Sequence, residues 1–279
     1  MSVSSASLPA GAPSTPSAAS MAVSWAAVLR SEWTKLRTLR STWYLPTGAF
    51  VAALGYGYLF GTSNGRAHLA AAADERALFD PMESAFRGLV LVQLLVNALG
   101  VLAVTSEYAA GTMPASATAV PRRGRLLAGK AAVVAALVLP CGPLLALGSF
   151  LVSQAALAAQ GAPSGALTDP GVPGAIAGAG LYLTLISLYG VATGFLIRRT
   201  AGAVSLGTFL LLLPAMAPLL PEWPARMLVT YWPSSAGLRL FAPAPAPDAL
   251  PPSAAFVLLA GTALALSLAA FARFRARDV

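Results

Sequence analysis

The stretch Gly124-Arg125-Leu126-Leu127-Ala128-Gly129-Lys130 has the glycine and lysine spacing of a phosphate-binding loop, so nucleotide chemistry is the first possibility to weigh. Such a loop needs Ser or Thr directly after the lysine to hold Mg²⁺, and here Ala131 follows. No strand-like segment precedes it and a long apolar run begins behind it, so the chain is not expected to bind ATP itself. Metal and thiol chemistry are no better supplied. One cysteine, Cys141, and one histidine, His68, cannot build a Cys/His metal centre or a disulfide framework. No paired acids lie within the apolar runs either, which argues against a membrane enzyme working by acid–base or metal-assisted catalysis.

What remains are two acids near apolar boundaries, Glu32 and Glu107, and scattered uncharged polar groups inside apolar runs. Gln93 and Asn97 stand four apart, on one face of a helix; Gln154, Thr184, Ser187, Ser205 and Thr208 are spread over the later runs. Polar side chains in such runs more often join helices by hydrogen bonds than hold a substrate. Gln93, Asn97, Thr184 and Ser187 are the candidates for a substrate cavity if there is one. Gly174, Gly178, Gly190 and Gly194 fit close helix packing.

The elements that must position these residues follow from composition. Only 10% of the 279 residues are charged, 57% are hydrophobic, and the mean hydropathy is +0.72. Ten acids and eighteen bases are too few to cover a soluble globule of this size, so the reading is an integral membrane protein. The net charge of +8 does not indicate nucleic acid, because the bases sit between apolar runs and do not gather on one face. Sixteen of the eighteen are Arg; the two lysines, Lys35 and Lys130, read as a bias of residue usage.

Residues 1–20, built of Ser, Ala, Pro, Gly and Thr with one Met, Val and Leu, are expected to be a disordered and uncleaved tail, with 1–22 outside the folded domain and Met21 an alternative start. Residues 23–279 then read as one all-α transmembrane domain. Six charge-free runs are long enough to cross about 30 Å of hydrocarbon as helices: 43–60, 88–106, 131–159, 174–197, 201–220 and 254–272. They are continuously apolar, not alternating, so helices are preferred to barrel strands. Pro140 and Pro143 are expected to kink the third run, and Pro214 and Pro218 the fifth.

With both termini on the cytoplasmic side, thirteen bases and three acids fall inside and five bases and seven acids outside. That is +10 inside and −2 outside, the asymmetry that basic loops impose on insertion. On the inner side, 25–40 spaces Trp25, Val28, Leu29, Trp33, Leu36 and Leu39 on one arc, as an interfacial helix would. Glu32 lies in that arc, either paired locally with Lys35 or contacting another element. Between the second and third runs, Thr112 is placed to cap a short helix 113–119, Pro114 sits in its first turn, and Val120-Pro121 ends it. Glu107 precedes this helix and Arg122, Arg123 and Arg125 follow it. A lipid-anchoring role explains the basic cluster but not a capped helix at a loop tip. On the outer side, 221–253 reads as a re-entrant or interfacial helix pair carrying Met227, Leu228, Tyr231, Trp232, Leu238 and Leu240, with 242–247 extended.

Ser31-Glu32-Trp33-Thr34-Lys35-Leu36-Arg37, then Thr105-Ser106-Glu107-Tyr108 through Gly111-Thr112, then Ala119-Val120-Pro121-Arg122-Arg123 and Lys130 resemble the permease subunits of type-two ATP-binding-cassette exporters, particularly those of high-GC Gram-positive bacteria. In layout the resemblance runs from about residue 23 to the C-terminus, although the last three spans match only in pattern. It implies a half-transporter in the bacterial cytoplasmic membrane, working as a homodimer with two copies of a separate ATPase that holds ATP and Mg²⁺, while this chain holds no cofactor. By the same resemblance 113–119 is a coupling helix. Glu32, Glu107, Tyr108, Gly111, Thr112, Met113, Ala115, Arg122 and Arg123 form the ATPase-coupling interface. Pro114 departs from the family, whose members place a stronger helix former there. The mostly apolar walls suit an amphipathic drug, lipid or peptide. A stand-alone carrier or channel is the alternative, disfavoured because no ionisable residue lies deep in the runs.

Overall fold

The computed structural model describes residues 24–120, 123–241 and 250–276. The expected N-terminal tail, the alternative start at Met21, Arg122 and the segment 242–247 lie outside these residues. The chain is helical along its described length: α1 Trp25–Thr38, α2 Ser41–Ala70, α3 Ala73–Ala77, α4 Pro81–Phe86, α5 Leu89–Ala109, α6 Met113–Ala119, α7 Arg123–Ala159, α8 Val172–Ile197 and α9 Thr200–Leu212. A 3₁₀ segment, Leu213–Leu219, continues α9; then come α10 Glu222–Tyr231, α11 Pro233–Gly237, a single 3₁₀ turn Leu238–Leu240 and α12 Pro252–Ala276.

Among the described residues, five helical segments are long and apolar enough to cross a membrane: Pro81–Ala109, Arg123–Ala159, Val172–Ile197, Thr200–Leu219 and Pro252–Ala276. This marks an all-α, multi-pass membrane protein. The expected first span, 43–60, lies within α2, whose thirty residues are the second longest helix described. Trp43, Tyr44, Pro46, Tyr56, Tyr58 and three glycines dilute that run, so α2 does not reach the hydropathy of the other five.

Backbone contact through small residues sets how these helices sit. Gly57, Gly61 and Gly65, spaced by four on α2, lie against α7, where a Cβ at Gly57 or Gly61 would come 2.6 Å from the carbonyls of Ser149 or Ser153. Gly100 of α5 abuts the Ser187 carbonyl of α8, and Gly190 of α8 abuts the Asn97 carbonyl of α5. Gly194 packs on Val101 and Val104, and Gly178 on Leu240, whereas Gly174 has no atom within 4 Å of where its Cβ would stand and so does not serve the packing expected of it. α8 is the central element, with Tyr182, Leu183, Ile186 and Phe195 fully enclosed.

Proline chemistry shows where α9 ends. Pro214 has no amide hydrogen to offer the Leu210 carbonyl one turn back, so the α-helix gives way to the 3₁₀ segment. The Trp232 indole N–H takes that carbonyl at 2.7 Å, and the Ser234 hydroxyl takes the Leu211 carbonyl at 3.1 Å. The expected helix pair in 221–253 is present as α10 and α11, and these two bonds tie it to the end of α9. α7 runs as one helix through Pro140 and Pro143.

Candidate functional site: a buried ion cluster

α1 begins where the Ser24 hydroxyl accepts the Ala27 amide at 3.2 Å, and it ends where Thr42 and Trp43 of α2 donate to the carbonyls of Leu36 and Arg37 at 2.5 and 3.1 Å. These bonds fix the elbow between α1 and α2. The buried stripe of α1 is Val28, Glu32 and Leu36, at four-residue intervals. Trp25 and Trp33 of the expected arc lie nearly half exposed on its flanks. Val28 seats against Gly129 of α7, where a Cβ would come within 2.8 Å of Val28 Cγ1, so α1 and α7 touch closely only because residue 129 lacks a side chain.

α5 stops two residues beyond Glu107. Gly111 takes a left-handed φ of 66°, which suits glycine, and the amides of Gly111 and Thr112 bond back to the carbonyls of Tyr108 and Glu107 at 3.2 and 3.0 Å. α6 follows over the expected residues, 113–119. Thr112 precedes it but does not cap it: its hydroxyl bonds the Glu107 carbonyl at 3.4 Å, and its backbone is already helical. The buried face of α6 is Met113 and Ser116, while Ala115 is exposed.

These elements bring four charged side chains and one hydroxyl together. Lys130, from the third turn of α7, donates to Glu32 Oε2 at 2.6 Å and to Glu107 Oε1. Lys35 donates to Glu32 Oε1 at 2.7 Å and lies 3.3 Å from Glu107 Oε1. Ser116 donates to Glu107 Oε2 at 2.8 Å and accepts from Lys35 Nζ at 2.9 Å. Two carboxylates and two ammonium groups make a neutral set, which is how charge is tolerated where water is scarce. Lys130 and Glu32 are each 3% exposed and Glu107 is 8% exposed. Burial alone would lower the Lys35 pKa; the hydrogen bond and charge of Glu32, with the charge of Glu107, outweigh it and raise the pKa above the usual 10.5.

A cavity of about 480 Å³ opens beside the cluster, between α1, α5, α6 and the start of α7. Glu32, Lys35, Glu107, Thr112, Ala115, Ser116 and Lys130 reach its wall. Both readings of Glu32 are therefore realised at once, one oxygen on its helical neighbour Lys35 and the other on α7. The two lysines of the chain meet here, so their presence is not only a matter of residue usage. The interface that the family resemblance implies includes neither lysine nor Ser116, although Lys35 and Lys130 stand in the segments that carry the resemblance; the rarity of lysine is a further signal for those two, and the sequence holds none for Ser116.

The remaining expected interface residues do not join the cluster. Tyr108 lies with its ring under the Arg198 guanidinium at 5.6 Å. Arg123 donates to the last carbonyls of α12, Phe274 at 2.8 Å and Arg275 at 3.3 Å, and so closes the end of that helix. Arg122 lies outside the described residues. The segment spaced like a phosphate loop is wound into the first turns of α7, with Lys130 turned into the ion cluster. Among the described residues, no three His, Cys, Asp or Glu side chains gather as metal ligands would.

The expected cavity residues are separated. Gln93 accepts the Tyr182 hydroxyl and donates to the Val90 carbonyl at 2.8 Å; Thr184 and Ser187 bond carbonyls of their own helix at 2.8 and 2.6 Å. Asn97 reaches the wall of a cavity bounded by α8, α9 and α12. Neither a protein-family model nor a curated protein matches the chain.

Proposed function

We propose that this chain is the membrane-spanning permease subunit of a type-two ATP-binding-cassette exporter, carrying an amphipathic drug, lipid or peptide outward with ATP hydrolysed by a separate subunit. The observation that supports this most is the tie between α6 and the bundle. A seven-residue helix at a loop tip is joined through Ser116 to Glu107 and Lys35, and onward through Lys130 to α7 and through Glu32 to α1. A load applied to α6 therefore reaches α1, α5 and α7 together.

In this reading α2 is the first of six spans, because its thirty residues extend about 45 Å and its glycine stripe seats it along α7. α1 and α6 then share the cytoplasmic side with both termini, as the basic residues require. Two ATPase subunits closing on ATP would press α6 of each of two permease copies, and the cavity between the copies would switch from inward to outward access. The chain itself contributes position and stiffness, not a nucleotide site. The ion cluster suits that task, since its alternating charges hold four helices at once while each ammonium can exchange one carboxylate oxygen for another without a charge being stranded.

The test is purification of the tagged chain in mild detergent after expression with its neighbouring genes. Stoichiometric recovery of a cassette ATPase with vanadate-sensitive turnover is the expected result, and Glu107→Ala should impair that turnover's stimulation while membrane insertion persists. A homo-oligomer that retains no ATPase would refute the reading and turn attention to carriers and channels.

A further inference from the structure

A second cavity, of about 380 Å³, shares no lining residue with the one beside the ion cluster; it lies between α8, α9 and α12, with the start of α11 closing one end. α9 and α12 make no extended contact with each other, and Phe209, Leu264 and Leu268 near the gap are more than half exposed. The cavity thus adjoins the lipid-facing side of the bundle. No charged side chain lines it. Its polar groups have partners in the chain: Tyr189 and Thr262 bond each other, Thr193 donates to the Tyr189 carbonyl at 3.0 Å, and Trp232 and Ser234 hold the α9 carbonyls described above.

Asn97 is the exception. It is fully buried in the middle of α5, and neither its carboxamide nitrogen nor its oxygen bonds any described residue. It faces Gly207 of α9, where a Cβ would stand 2.5 Å from Asn97 Nδ2. The missing side chain at 207 therefore makes room for the carboxamide beside the cavity. A buried amide with both its donor and its acceptor unused is costly, about 1–3 kcal/mol for each unsatisfied group. A guest that offers one donor and one acceptor removes that cost.

We propose that this cavity binds a neutral, mostly hydrocarbon small molecule whose head both donates and accepts hydrogen bonds, a carboxamide being the closest match, with the head on Asn97 and the chain lying between α9 and α12. The volume is in the range of small-molecule sites, and the absence of lining charge selects against ions and zwitterions. The site stands whether or not the chain works with an ATPase.

Trp232 lines the cavity, so heavy-atom quenching of its fluorescence reads occupancy. The assay uses the full chain in phosphatidylcholine nanodiscs, with Trp25, Trp33, Trp43 and Trp223 replaced by Phe so that Trp232 alone reports. The probes are 11-bromoundecanamide and, lacking the head, 1-bromoundecane. Saturable quenching by the amide is expected, with the bromoalkane weaker by about tenfold or more, the worth of one satisfied buried amide. Asn97→Leu should bring the two probes together. Ala265→Phe, which fills the cavity and keeps Asn97, should abolish saturation. The comparison of probes and the Ala265→Phe variant remain decisive even where Asn97→Leu fails to fold. Equal, unsaturable quenching by both probes would overturn the site and leave the cavity to lipid chains. Amide binding undiminished in Asn97→Leu would overturn it by assigning Asn97 to packing. No ATPase enters this assay, so its outcome is separate from that of the permease test.

Discussion

Lys130 and Glu32 stand 98 positions apart, yet Lys130 Nζ and Glu32 Oε2 meet at 2.6 Å, each side chain 3% exposed, at the junction of α7 with the amphipathic α1. Such a pair contributes little net stability over an apolar replacement of both partners, but removing one partner strands the other's charge in a poorly solvated place.

That asymmetry separates the two lysines. Lys130→Met should lower stability by about 3–5 kcal/mol, because Glu32 and Glu107 are left facing each other with only Lys35 between them. Lys35 is 37% exposed, so Lys35→Met should cost only about 0–1 kcal/mol. Lys130→Arg keeps the charge but replaces a compact ammonium by a planar fork, so it should restore only part of the loss. Denaturation midpoints of the three variants in one detergent decide the matter, and equal shifts for both lysines would contradict it.

Ser116 is the one side chain of α6 that bonds the cluster. Ser116→Ala removes a donor to a carboxylate, a bond worth about 1.5–3 kcal/mol, without touching the helices behind it. Hydrogen exchange in 113–119 should quicken by roughly tenfold or more while α5 and α7 exchange as before. Unchanged protection of α6 would show that Met113 alone holds it.

The glycine contacts predict a sharp contrast within one helix. Gly190→Ala drives a methyl into the Asn97 carbonyl and should destabilise by about 1–3 kcal/mol, as should Gly100→Ala opposite the Ser187 carbonyl. Gly174→Ala meets nothing within 4 Å and should stay within about 0.5 kcal/mol of the parent. Thermal midpoints of the three variants test the α5–α8 contact directly.

Lys35 supplies a pH dependence with a definite sign. Its pKa is higher in the folded chain than the usual 10.5, so its contribution is fully present below about pH 10.5 and is lost as pH climbs through the raised value. α1 should therefore loosen only in strong alkali, read as a change in the emission of Trp33 two residues before it. Lys35→Met should remove that part of the alkaline transition. An α1 that loosens between pH 7 and 9 would contradict the assignment.

Much of this architecture is legible in the chain because the relevant signals are local. An apolar run of eighteen residues, a proline two places into a helix, or a Val-Pro stop acts over a few residues, so five of the spans and the bounds of α6 could be read directly. Gly111 likewise carries its left-handed turn in its own lack of a Cβ. Locality also explains the differences. Thr112 looks like a helix cap, but the hydroxyl turns back to Glu107 because the end of α5 occupies the preceding residues. Arg123 looks like part of an exposed basic patch, but α12 returns to it from 151 positions away. What only the tertiary structure decided is the rotation and approach of whole helices, set by glycine contacts that let backbones touch. That is what carries Lys35 and Lys130 to the same two carboxylates and leaves Asn97 unpaired beside Gly207. Charge pairing and burial depend on distance in space, and no spacing along the chain encodes a meeting between residues 32, 107 and 130.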